Sequence, residues 1–195
     1  MPAADPIWIS FGGEKPPARR TIDDSIVARF PAVLQMLARL TLALPRRSRL
    51  RQTLLRRSIL QGMGAWVRGD FELGLVRYAP DVVLTPAARP GLTFDFEESY
   101  RGRDGVRAFV QTYQDAFSDL AYEPQWLVDL GGDTFVILVH HSLRGRASGV
   151  EVEQITAQRV RVRAGLVVRE EVYAGTRHDS EQMMRAIGLD RTTPA

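Results

Sequence analysis

The most constraining feature of this sequence is a change of period. Up to about Pro80 the apolar residues recur at three and four, the spacing of one helix face. Beyond it they gather into strand-length runs cut by glycine turns. The spacing predicts helices over Ile26 to Leu44, where Pro45 stops the first, over Arg46 to Val67, and briefly over Asp70 to Tyr78. Asp70, after Gly69, is expected to cap the short one. Asp81 to Pro86 and Phe94 to Tyr100 read as strands. Asp104 to Phe117 returns to a helix with Val106, Phe109, Val110, Tyr113 and Phe117 as its buried stripe. Four further strands follow, at Ala121 to Leu130, Thr134 to Arg144, Val150 to Val162 and Leu166 to Tyr173. The turns at Gly131-Gly132, Gly145 to Gly149 and Ala164-Gly165 have hairpin lengths. A last helix is expected over Asp179 to Ile187. Helices followed by a meander predict an α+β fold, a curved antiparallel sheet wrapped around helices with a pocket between them.

Residues 1–24 are rich in glycine, proline and charge and are expected to be a flexible lead-in. A helical extension over 25–45, one domain over 46–190 and a tail over 191–195 complete the expected organisation. With no cysteine, the chain cannot form disulfides or use a thiolate. The run from Ala32 to Leu44 is broken by Gln35 and Arg39 and is shorter than the roughly 20 residues a membrane span needs. Met1 to Phe11 has neither the basic nor the apolar region of a secretion signal, so a cytoplasmic location is expected. Net charge is only +3, but Arg46, Arg47, Arg49, Arg51, Arg56 and Arg57 crowd one stretch. Without interleaved aromatic residues, they read as a solvated helix face or a contact with acidic groups of a second subunit. Nucleic-acid and membrane partners are not expected.

Three segments carry a resemblance. Gly64-Ala65-Trp66-Val67-Arg68-Gly69-Asp70 with the following Phe71 to Leu84, the run Tyr100-Arg101-Gly102-Arg103-Asp104-Gly105, and Gly165 to Tyr173 resemble, in order, landmarks of the nuclear-transport-factor-2-like superfamily. The subgroup most similar is the SnoaL-like, polyketide-cyclase-like proteins. The resemblance implies a cone-shaped fold, an apolar small-molecule ligand, no cofactor and a homodimer. It also implies what is missing. Pro86 stands where ketosteroid isomerases carry their catalytic aspartate, Gly62 where they carry a tyrosine, and Ala157 or Gln158 where they carry an oxyanion-stabilising acid. The carboxylate–arginine–carboxylate set of the limonene-epoxide-hydrolase type is not matched either, because Arg159 lacks acidic neighbours and Val172 precedes Tyr173.

The remaining candidates come from the residues themselves. His140 and His141 are strand neighbours, so their side chains point to opposite faces and only one enters the pocket, as a possible general base. Glu97 and Glu98 pose the same choice, and a carboxyl desolvated in an apolar cone is a candidate acid or base. Trp66, Tyr78, Tyr100, Tyr113, Trp126 and Gln158 are candidate ligand contacts. Three scattered histidines show no metal-ligand spacing, and no metal is expected. Two functions stay open: a cofactor-independent cyclase, isomerase or lyase, and a non-catalytic binding or dimerisation module.

Overall fold

A computed structural model describes residues 5–86, 96–175 and 189. The elements run β1 (Ile7–Ser10), α1 (Ile22–Arg29), α2 (Pro31–Ala43), α3 (Arg49–Val67), α4 (Phe71–Leu75), β2 (Tyr78–Pro86), β3 (Tyr100–Arg101), α5 (Gly102–Ala116), β4 (Phe117–Gly131), β5 (Thr134–Gly145), β6 (Glu151–Arg163) and β7 (Leu166–Gly175). One seven-stranded sheet has the order β1-β4-β5-β6-β7-β2-β3. The meander β4 to β7 is antiparallel, as expected, while β2 lies parallel to β7. Three register shifts in β4, one beside Pro124, bend the sheet around the helices.

Several expectations change. Ile7–Ser10, within the supposed lead-in, pairs with Leu127 and its neighbours as an edge strand. The helix expected over Ile26 to Leu44 is two helices. Thr21 and Asp24 form a reciprocal capping box at the start of α1, and Pro31, which cannot continue a helix, opens α2 at a bend of 111°. Asp70 precedes α4 but does not cap it, because its carboxylate is taken at 2.7 Å by both Nε and Nη2 of Arg20. Of the strand expected over Phe94 to Tyr100, residues 96–99 are not strand and Tyr100 opens the two-residue β3, while Phe94 and Asp95, like the expected last helix, lie outside the described residues.

The arginine run is largely spent inside the chain. Arg46 Nε and Arg51 Nη2 donate to the buried Asp129 carboxylate at 3.1 and 2.9 Å, Arg56 pairs with Glu14, and Arg57 with Asp23. Cores form on both faces of the sheet. Odd-numbered β5 residues Phe135, Ile137 and Val139 pack with α3, while Val136 and Leu138 pack with Trp8, Trp126 and Leu189 on the other face. The β6–β7 turn takes Ala164 and Gly165 at φ of 53° and 82°. Gln35 Nε2 and Arg39 Nε of α2 donate to the Ala164 carbonyl at 3.0 and 2.9 Å. A Cβ at Gly165 would lie 2.6 Å from the Gln35 carbonyl oxygen, so only glycine lets α2 sit this close across the end of the cone.

Candidate functional site

Between the inner sheet face and helices α2, α3 and α5 lies a cavity of about 760 Å³. Its apolar wall comes from Leu34 and Leu42 of α2, Ile59 and Met63 of α3, and Phe109 of α5. The sheet supplies the polar groups because its inward positions alternate. On β6 these are Gln154, Thr156 and Gln158, on β5 His141, and on β7 Glu170.

Three polar pairs are built into this wall. The Tyr78 hydroxyl donates to Glu170 Oε2 at 2.7 Å. Burial pushes the Glu170 carboxyl above its ordinary value, against the opposite pull of the Tyr78 hydrogen bond, and burial together with Glu170 holds Tyr78 well above a usual phenol. His141 Nε2 lies 2.7 Å from Thr156 Oγ1, and its ring meets Tyr122 edge-on with centroids 4.7 Å apart. Burial pushes the imidazole down to about 3, with a smaller contribution from His140, so it is neutral at physiological pH. Gln154 donates to the Tyr113 hydroxyl oxygen. Desolvation raises Tyr122 to about 12 and raises Tyr113 as well.

Two buried groups at the wall are short of partners among the described residues. One is His141 Nδ1; the other is Arg77, whose Nη1 donates to the Leu73 carbonyl at 3.0 Å while Nε and Nη2 find no acceptor. Burial lowers the Arg77 guanidinium from its usual value. It fits against α3 because Gly62 leaves the space, where a Cβ would come within 3.0 Å of Nε.

The structure separates the sequence candidates. His141 lines the cavity, whereas His140 lies on the outer face, with Nε2 2.5 Å from Glu153 and Nδ1 3.9 Å from Glu123. Glu97 and Glu98 are exposed at the cavity rim in a segment without regular structure, so the alternation argument does not apply to them. Trp66, Tyr78, Tyr113 and Gln158 line the cavity. Tyr100 does not: it is buried among Leu84 and Val106, and its hydroxyl accepts the Glu97 N–H. Trp126 stacks edge-on with Trp8 on the opposite sheet face. Pro86 and Gly62 line the cavity, and Arg159 is outside it, 3.9 Å from Glu171. The carboxyl that does enter is Glu170. Its signal was present, since Glu170-Glu171 is an adjacent acidic pair in a strand, the same pattern as His140-His141.

Among the described residues no cluster of three or more His, Asp or Glu side chains could hold a metal, and no single helix is long and apolar enough to cross a membrane.

The SnoaL-like domain profile matches residues 59–170. None of the curated proteins matches. Among solved structures, an NTF2-like protein of unknown function from Burkholderia pseudomallei is similar at 20% identity and a TM-score of 0.54, covering 66% of this chain and 93% of that one. An NTF2-like protein from Burkholderia thailandensis is similar at 24% identity and 0.53, covering 66% and 95%. TerC, crystallised with polyporic acid, is similar at 18% identity and 0.54, covering 65% and 95%. At these identities the structures show a shared fold.

Proposed function

Because the chain belongs to the SnoaL-like domain family, we propose that it encloses an apolar small molecule and moves a proton on it without a cofactor. The observation that carries this reading is the Tyr78–Glu170 pair, hydrogen-bonded at 2.7 Å and buried in the same cavity as a neutral histidine. Burial favours the protonated form of the Glu170 carboxyl, which in that form can donate to a carbonyl oxygen, and a neutral imidazole can accept a proton from the adjacent carbon. In the tautomer whose Nε2–H donates to Thr156, Nδ1 carries the lone pair that would take the proton. Proton transfer from carbon to His141 and from Glu170 to oxygen would give an enol, the common first stage of cofactor-free isomerisation and cyclisation. A cavity of this size suits a ligand of a few rings, and TerC, of the same fold, is crystallised with polyporic acid.

A second reading, a binding module without chemistry, is favoured by one contact: His141 meets a threonine rather than a carboxylate. Exchange of the α-protons of β-tetralone in deuterium oxide, followed by proton NMR, separates the two. The enzyme reading expects acceleration by the wild-type protein and a loss of about 100-fold in both His141→Ala and Glu170→Gln. Binding of β-tetralone with no acceleration supports the binding module.

A further inference from the structure

The helices that close the cavity leave an apolar surface open to solvent. On α2, Leu34, Leu37, Ala38 and Thr41 border the cavity, Leu37 with about half its surface exposed, while Met36 and Leu40 on the other side are more than half exposed. The helix is therefore apolar on two faces and packed on one. On α1, Ile22 and Ile26 share an exposed face with Arg29 at i, i+4 and i+7; on α3, Leu50, Leu54 and Arg57 repeat that spacing. The surfaces converge on one place, because Ile26 of α1, Leu37 of α2 and Leu54 of α3 all border the cavity as well.

This surface is also cationic. Residues 22–67 contain eight arginines and two aspartates, but Arg51 is buried against Asp129, which also holds Arg46, and Arg56 is paired with Glu14. Asp23 is held by Arg57 and Asp24 by Arg68. Arg29, Arg47 and Arg49 are exposed and form no ion pair among the described residues.

We propose that the α1–α3 face docks on an anionic lipid bilayer, laying its apolar residues into the headgroup boundary with its arginines against the phosphates, so that the cavity opens toward the membrane. Exposed leucine and isoleucine gain from a hydrocarbon boundary and not from the backbone of a nucleic acid. A second copy meeting this face symmetrically would bring two sets of unpaired arginines together. A lipid surface satisfies both the apolar and the cationic character. The docking holds whether or not the cavity is catalytic.

The test is flotation of the full chain with vesicles of phosphatidylcholine alone and of phosphatidylcholine with one quarter phosphatidylglycerol, in low and near-molar sodium chloride, with light scattering to give subunit number. We expect at least about tenfold more protein floating with the anionic vesicles, most of it released by high salt. The variant Leu40→Glu/Leu50→Glu changes residues that are 58% and 57% exposed and do not line the cavity, so its thermal unfolding should match wild type while flotation falls about tenfold. Failure of the folded wild-type chain to float on anionic vesicles overturns the proposal. So does undiminished flotation of the double variant, which reveals general polyanion attraction, a result that competition by duplex DNA would show directly. A wild-type dimer that the double variant splits, with no vesicle binding, assigns the face to a second copy instead.

Discussion

The inner and outer faces of strands β5 to β7 carry the same residue types one position apart, and they behave oppositely. Outside, His140 pairs with Glu153, Arg144 with Glu151, and Arg169 with Glu171, mostly between exposed side chains in water. Inside, His141 has Thr156, Glu170 has Tyr78, and Gln154 has Tyr113, each a single bond in an apolar cavity. Water screens the first set until each pair contributes little. Desolvation makes each member of the second set expensive to leave alone, and it shifts titration toward the neutral form.

The sharpest break of this comparison is at the adjacent glutamates. Glu170→Ala leaves the buried Tyr78 hydroxyl without its acceptor and should cost about 1–3 kcal/mol, whereas Glu171→Ala should stay within about 0.5 kcal/mol. Urea unfolding of both variants measures the difference; equal losses would show that the two faces share one environment.

The histidine sharpens it through pH. His141 titrates near 6.5 in the unfolded chain and at about 3 in the folded one, so unfolding takes up a proton between those values. Its contribution is fully present above pH 6.5 and is lost as pH falls toward 3, with a slope approaching about 1.4 kcal/mol per pH unit. His141→Asn should flatten that part of a stability-against-pH curve relative to wild type. Curves that stay parallel through this window would mean that the imidazole is hydrated in the folded chain.

The smallest effect belongs to the outer pairs. Glu153→Gln, which removes the partner charge from His140, should move the unfolding free energy by less than about 0.5 kcal/mol and leave β-tetralone binding by calorimetry unchanged. A larger loss would show that the outer face is covered in solution.

The meander was readable because each of its strands is bounded by glycine-bearing turns, and the rule that neighbours in a strand face opposite ways was enough to say that only one of His140 and His141 enters. The same rule went astray at Glu97 and Glu98, which are not in a strand, and would have served at Glu170 and Glu171, which are. Trp126 was misplaced for a related reason: periodicity marks a residue as buried without saying which of two cores receives it, and this sheet has one on each face, whereas Tyr100 lies in the core beside the cavity, among Leu84 and Val106. The arginine stretch looked like a continuous basic helix face because its acceptors, Asp129 and Glu14, are distant in sequence.

The local pattern thus determined the helices α3 and α5 and the strands of the meander, the hairpin order of the closing strands, and the fold type that the landmark segments resemble, but not β1 or the break between α1 and α2. Tertiary structure alone decided which strand residues face the cavity, how the bend at Pro31 lays α2 across its end, and that Tyr78 meets Glu170 from 92 residues away. Period and turn chemistry act over a few residues, whereas strand register, desolvation and the meeting of distant side chains exist only once the chain has closed on itself.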